Sequence, residues 1–445
     1  MANFSSEIRN CFIVLKSVKA DFLLIVSKPF ERTFLLTDAF LTFWETVLPR
    51  NAFYIQKLRI DPRNVSKSWI KDNFESFDFT SKSELQNSQS AFPPYGNFHY
   101  LDLAQYNRFH QTSGSSGKPL LFLDSKDGWE WLLTNWLKIF ALANIQKGDR
   151  LFFPFSFGPF LGFWTAFEAA CKAGCLSFPG GGMSSEARLS LIQSQKINVI
   201  FTTPSYALRL AEVAADQNIN LQDLGLKKLV LAGEPGANIP ATRSRIEKDW
   251  GPIVVDHHGM TETGPVTAEC SFTPGLLHII ENAFIAEVID PITQKKLSFG
   301  SIGELVLSSF GRAGCPLLRY RTGDIVHLNQ QKCTCGFNGQ SLWGGILSRV
   351  DEMIFLKGNN IYPSALQHML HSIEGIIDFR ITFYKHEGNP HLVFEVETLP
   401  PDSDSIKNRL EKMIQITFLF KPLIKIVPKG TLPRQEMKSK RFIQI

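Results

Sequence analysis

Between residues 107 and 257, short apolar runs, often β-branched, alternate with amphipathic stretches. The runs Asn107–Gln111, Val199–Thr203, Lys228–Ala232 and Ile253–His257 read as strands. Ser184–Gln195 reads as a helix capped by Ser184 or Ser185, and Pro204–Asp216 as one with proline in its first turn. Such alternation predicts an α/β protein, with sheets packed by helices. The residues before about position 100 read as helical and connecting, ending in the turn-rich AFPPYGN. After Phe284 the character shifts to strands and turns, in FIAEVID and GELVLSS. A boundary falls in WGGILSR, Trp343–Arg349. Beyond it, strands Arg380–Tyr384 and Leu392–Val396 and helix Ser405–Phe418 suffice for a small α+β domain. The expected division is a large domain over residues 1–347 and a small one over 348–445.

Composition narrows the function classes. The 445 residues carry 47 basic and 42 acidic side chains, a net charge of +5 without a basic patch, which argues against nucleic acid. No long uninterrupted apolar run is present, so no membrane span is expected. Charges break up the N-terminal MANFSSEIRNCFIVLKSVKADF, so no secretory signal is expected. Seven irregularly spaced cysteines suit a reducing compartment, and a cytoplasmic location follows. The unusual figure is 37 phenylalanines. They belong either to an aromatic core or to a ring-lined cavity.

Candidate chemistry sits at the ends of the expected strands. Thr112–Pro119 reads TSGSSGKP. Its glycines allow close backbone approach, and its hydroxyls and Lys118 suit a polyphosphate, although a plain surface turn has the same composition. The spacing is neither that of a Walker A loop nor GxGxxG. Further on come LAGEPG (Leu231–Gly236), HHGMTETGP (His257–Pro265), RYRTGD (Arg319–Asp324), RVDEM (Arg349–Met353) and GTLPRQEMKSKR (Gly430–Arg441).

In this order the segments resemble the motifs of the adenylate-forming superfamily: acyl-CoA synthetases, nonribosomal adenylation domains and luciferases. NAFYIQKL (Asn51–Leu58), FTSKSELQ (Phe79–Gln86) and KGNNIYPS (Lys357–Ser364) are similar to the phenylacetate-CoA ligase branch. The resemblance implies a multi-subdomain adenylating domain with a mobile C-terminal lid. It implies that Thr112, Ser113, Gly114, Ser115, Ser116, Gly117 and Lys118 bind phosphates. Gly233, Glu234, Pro235, His257, His258, Gly259, Met260, Asp324 and Arg349 would bind adenosine, with Asp324 on the ribose hydroxyls. His258 stands where the family usually has an aromatic ring on adenine, and Gly259 would leave room for the ligand. Thr261 would bond the α-phosphate and Glu262 would hold Mg²⁺. Lys438 would be the catalytic cation, with Lys440 as the alternative, and Asp351 the hinge. Met437 and Ser348 replace glycines of the family pattern.

Two further groups complete the reading. Leu151–Phe167, LFFPFSFGPFLGFWTAF, reads as core by default. The resemblance places it beside the acyl site, with Phe155, Phe157, Phe160 and Tyr206 as lining candidates. Its lack of charge suits a hydrophobic, aromatic acid. Cys333 and Cys335 form a CxCG knuckle, and Cys270 and His278 lie over fifty residues upstream. Spacing alone leaves buried thiols open, whereas the resembled branch has these segments and structural zinc in some members. Cys11, Cys171, Cys175 and Cys315 read as core or helix-packing residues. The expected activity is ATP- and Mg²⁺-dependent formation of an acyl-AMP, then thioesterification to coenzyme A. The alternatives are transfer to a carrier-protein thiol or an amine, and a relative that binds nucleotide without catalysis. A homodimer is among the oligomeric states left open.

Overall fold

A computed structural model describes residues 36–112, 118–280, 282–356, 359–385, 390–398, 401–434 and 441–445. Four short helices open the described chain: α1 (Asp38–Val47), α2 (Ala52–Leu58), α3 (Lys67–Asn73) and α4 (Lys82–Ala91). Each begins at a side-chain cap: Thr37, Asn51, Ser66 and Ser81, the last in a capping box with Glu84. Their apolar faces meet in one aromatic core that includes Phe40, Trp44, Tyr54, Phe74, Phe98 and Tyr320.

The hairpin β1 (Tyr106–Gln111) and β2 (Leu121–Ser125) leads into α5 (Lys126–Leu142). The expected alternation then follows: β3 (Arg150–Phe153), α6 (Trp164–Lys172), β4 (Leu176–Pro179), α7 (Ser185–Ser194), β5 (Val199–Thr202), α8 (Pro204–Asp216), β6 (Lys228–Leu231), α9 (Pro240–Trp250) and β7 (Ile253–Met260). These strands pair in parallel in the order β4-β3-β5-β6-β7. Alternate residues serve opposite faces. Phe153, Phe201, Val230 and Val255 pack under α5 and α6, while Phe152, Ile200, Leu229 and Val254 pack under α8 and α9.

From β7 the sheet continues antiparallel through β8 (Gly264–Glu269), β9 (Leu276–Ile279), β13 (Asn338–Arg349), β12 (Tyr320–Lys332), β11 (Ile302–Ser309) and β10 (Phe284–Ile289). Among the described residues eleven strands thus form one sheet. β13 stays in it through Arg349, two residues past the expected boundary. The C-terminal part has its own core. It holds the hairpin β14 (Ile354–Leu356) and β15 (Asn359–Ile361), helices α10 (Pro363–His371) and α11 (Ser403–Phe418), and a sheet of β16 (Ile376–Tyr384), β17 (His391–Thr398), β18 (Leu423–Val427) and β19 (Phe442–Gln444). No helix among the described residues is long and apolar enough to cross a membrane.

Candidate active site

β7 is where the sheet changes from parallel to antiparallel. Ligands of open α/β sheets gather at the carboxyl ends of the parallel strands, and the HHGMTETGP segment occupies that end of β7. Strand alternation sends its two histidines opposite ways. His257 points into the core: its Nδ1 lies 2.5 Å from the Thr267 carbonyl and its ring 4.5 Å from that of Trp136. Burial lowers its pKa to about 3, so it is neutral. His258 faces Asp324, with Nε2 3.1 Å from Oδ2, and its buried Nδ1 has no hydrogen-bond partner among the described residues.

Asp324 is buried on β12 directly opposite Arg349 on β13, whose Nη1 donates to Oδ1 at 2.9 Å. Burial by itself would raise the Asp324 pKa. The His258 hydrogen bond and charge, with Arg349, outweigh burial and hold it below the usual carboxylate range. An acidic carboxylate gripped by two donors is a preorganised acceptor for ribose hydroxyls.

Gly259 has a structural requirement of its own. A Cβ there would stand 2.8 Å from the Gly264 carbonyl oxygen, so glycine is required to close the β7–β8 hairpin. Met260 packs against the N-terminal aromatic core. Thr261 and Glu262 form the turn between the strands. The Glu262 carboxylate is buried, 3.4 Å from the Tyr320 hydroxyl and 3.2 Å from Lys82 Nζ. One buried carboxylate is the protein share a Mg²⁺ needs when phosphates and water fill its other positions.

Lys82 and Tyr320 were not singled out from the sequence. The readable signal lies in α4: Lys82, Gln86 and Gln89 fall on one face behind the Ser81 cap. Lys82 reaches Glu262, Gln86 donates to the Lys118 carbonyl at 2.8 Å, and Gln89 donates to the Leu121 carbonyl at 2.7 Å. This helix therefore ties the residues that flank the Thr112–Lys118 loop to the Glu262 turn. Thr112 closes the loop's base through two bonds with Leu120, and Lys118 is exposed. Ser113, Gly114, Ser115, Ser116 and Gly117 lie outside the described residues, as does Lys438.

Arg434 and Arg441, on either side of Lys438, are both anchored to Asp378, at 3.0 and 2.9 Å. Arg441 also reaches Ser205 Oγ at 2.6 Å, at the start of α8. The Ser205 backbone N–H donates to Glu234 Oε1 at 2.6 Å. Gly233 takes a left-handed φ of +91° just before, beside Pro235. Asp351 is exposed in the turn between β13 and β14 and accepts from Arg349 Nε at 3.2 Å.

Phe155 and Phe157 are half-buried and meet edge to face at 5.6 Å; Phe160 is also half-buried. The Pro159 carbonyl accepts from Gln111 N at 2.8 Å, which sets this loop against the strand entering the phosphate loop. Tyr206 is elsewhere. It is buried in the core on the other face of the parallel sheet, its hydroxyl bonded to Arg188 and Ser185. It faces away because residue 206 is on the inner side of α8. Cys171, expected as packing, is exposed on α6.

Strand pairing brings Cys270, His278, Cys333 and Cys335 together, with all four ligand atoms within 4.8 Å of one another. Cys270 and Cys333 sulfurs are 3.7 Å apart, and Cys335 sulfur is 3.4 Å from His278 Nε2. A zinc tetrahedron with its usual bond lengths has edges of about 3.5–3.8 Å. Buried His278 Nδ1 has no hydrogen-bond partner among the described residues, and burial holds the ring neutral, with a pKa of about 4. The donor set and spacing fit a closed tetrahedral site.

Comparison with known proteins agrees with this geometry. A family model described as AMP-binding enzyme matches residues 109–313, and one described as AMP-binding enzyme C-terminal domain matches residues 358–444. Phenylacetate-coenzyme A ligase of Thermus thermophilus is 29% identical over 380 residues, 80% of this chain and 84% of that protein. The Pseudomonas putida protein of that name is 29% identical over 383 residues, 83% and 84% of the two chains. A crystal structure of 2-hydroxyisobutyryl-CoA ligase in its postadenylation state with 2-HIB-AMP superposes with a TM-score of 0.84 at 25% identity, covering 91% of this chain and 88% of that one. The same ligase in its thioesterification state gives 0.67 over the same coverage.

The chain belongs to the adenylate-forming superfamily of AMP-binding enzymes. Within that class its relatives set it beside the phenylacetate-CoA ligases, as an AMP-forming acid–thiol ligase.

Proposed function

We propose that this enzyme activates a hydrophobic, aromatic carboxylic acid as its acyl-AMP and then passes the acyl group to coenzyme A. The observation that carries this reading is the meeting of His258, Asp324 and Arg349 beside the Thr261–Glu262 turn at the end of β7. In the first half-reaction the carboxylate attacks the α-phosphorus of ATP and pyrophosphate leaves. Asp324 and Arg349 hold the ribose, and His258, fixed by Asp324, stands beside the base. Thr261 bonds the α-phosphate, the loop from Thr112 to Lys118 takes the leaving phosphates, and Lys82 adds a cation at Glu262. Magnesium held by Glu262 would neutralise phosphate charge. Lys438 stabilises the charge that develops on the reacting oxygens. Phe155, Phe157 and Phe160 contact the acid.

In the second half-reaction the lid, the residues beyond Arg349, turns about Asp351, the coenzyme A thiol attacks the acyl-AMP carbonyl and AMP leaves. Two TM-scores for one relative, 0.84 and 0.67, support a lid that is placed differently in the two states, and this chain stands nearer the postadenylation arrangement.

We also assign structural zinc to Cys270, His278, Cys333 and Cys335, and a cytoplasmic setting, supported by the six described cysteines all being free thiols. ATP–pyrophosphate exchange over a panel of aryl and alkyl acids tests the first half-reaction. Aryl acids are expected to lead, and exchange with none of them, or full exchange by Lys438→Ala, sinks it. Product analysis with coenzyme A separates thioester formation from transfer to a carrier or an amine. One zinc per chain by metal analysis is the expected content, and metal-free protein with reduced cysteines overturns it.

A further inference from the structure

A buried charge pair lies behind the Thr261–Glu262 turn. Asp124, on β2, and Arg312, in the loop after β11, are both essentially inaccessible. Arg312 Nε and Nη2 donate to Asp124 Oδ1 and Oδ2, each at 2.7 Å. A buried fork of this kind seldom adds net stability, because desolvating two charges cancels most of their attraction. Its other contacts show what it does here. Arg312 Nη1 donates to the carbonyl of Thr261 at 2.9 Å and to that of Glu262 at 2.8 Å. With both carbonyls drawn to one side, the Glu262 carboxylate stands towards Lys82 and Tyr320. Asp124 lies seven residues beyond Gly117, on the strand that leaves the phosphate loop. One guanidinium therefore ties both phosphate-handling segments together. A lysine ammonium lacks the planar fork and cannot satisfy all four acceptors.

We propose that Arg312, anchored by Asp124, is a positioning residue that sets the Thr261–Glu262 turn for magnesium-bound ATP. The proposal rests on the reading that Glu262 holds the metal. Calorimetric titration of the full chain with ATP, in excess Mg²⁺ and in EDTA, tests both separately. Wild type is expected to bind ATP more tightly with Mg²⁺. Glu262→Gln is expected to lose most of that gain; if it keeps the gain, the reading of Glu262 is wrong. Arg312→Lys is expected to reduce the gain about tenfold while metal-free ATP affinity stays within about twofold, as loss of a supporting hydrogen bond does at a metal site. Its exchange kcat should fall about 100-fold, the cost of a misplaced group, with KM for the acid little changed. Affinity is independent of the folded fraction, which the binding stoichiometry reports. Should Arg312→Lys fail to fold, Asp124→Asn keeps the guanidinium and is expected to show the same signature in smaller measure. If Glu262→Gln loses the Mg²⁺ gain but a folded Arg312→Lys or Asp124→Asn keeps it, or if metal-free affinity falls equally, Arg312 is merely structural and the proposal fails.

Discussion

His257 and His258 are neighbours on β7, one 4.5 Å from the Trp136 ring and the other 3.1 Å from Asp324. Both stood as adenosine contacts in the sequence, because the motif alone does not say which way each points. Alternation along the strand separates them. Gly259 was legible as a required glycine, but the reason, a clash with Gly264 across the hairpin, needed the pairing register. Asp324 was legible as a candidate through the resemblance of RYRTGD to a known motif. Its grip by His258 and Arg349 was not, because those residues lie on other strands. Asp324→Asn removes the charge while keeping the shape. Hydrogen bonds to a charged group contribute about 1.5–3 kcal/mol, so KM for ATP should rise about 10- to 100-fold. KM for the acid should move less than about twofold if the role is confined to the nucleotide. Exchange kinetics measure both, and an unchanged KM for ATP would remove Asp324 from the ribose site.

Among elements, α7 and α8 were readable to within a residue or so, because Ser184 and Pro204 punctuate their starts. β5 and β6 were readable as short apolar runs bounded by turns. The antiparallel half was readable only as strands, since the pairing that brings Cys270 and His278 to Cys333 and Cys335 leaves no local signal. The junction of α9, β7 and β8 adds a feature that no pattern exposes. Arg243 on α9 pairs with Glu269 on β8 at 2.8 Å, and Glu269 also accepts the Asp256 backbone N–H from β7 at 2.8 Å. Burial, and then the Glu269 carboxylate, raise the Asp256 pKa to about 8 against the pull of Arg243. Unfolded, Asp256 releases its proton near pH 4. Between about pH 4 and 8 the folded chain binds more protons than the unfolded one, so this group lowers stability as pH rises across that window. Asp256→Asn is neutral throughout and should leave Tm near its wild-type value at about pH 4 while raising it by a few degrees at about pH 8. Parallel Tm profiles for the two proteins would mean that Asp256 is ionised in the folded chain.

At the scale of the whole molecule the C-terminal domain, the proposed lid, rests on α8 and α9 through polar contacts. Arg434 Nε lies 3.3 Å from Glu212, Lys429 Nζ 2.9 Å from Asp216, and Arg441 reaches Ser205 at 2.6 Å. On α9, Thr242 meets His371, and Arg245 donates to the Ile376 carbonyl at 3.0 Å. The exposed Lys429–Asp216 pair contributes under about 1 kcal/mol and the partly buried Arg434–Glu212 pair somewhat more, so such an interface holds the lid by a few kcal/mol and can be exchanged for another. An enzyme with two half-reactions needs a resting contact of that strength, firm enough to complete the site yet weak enough to release it. Glu212 is the place to probe this balance, because it faces both Arg434 and Arg209 and lies outside the nucleotide cluster. Glu212→Lys puts three cations together, and a bias of about 1.4 kcal/mol shifts a two-state equilibrium tenfold. Single-turnover adenylation should slow by up to about tenfold. Thioesterification started from supplied acyl-AMP and coenzyme A should stay constant or quicken, since that step uses the released lid. Equal slowing of both half-reactions would mean that Glu212 supports the fold, and no change in either would mean that these contacts do not hold the lid.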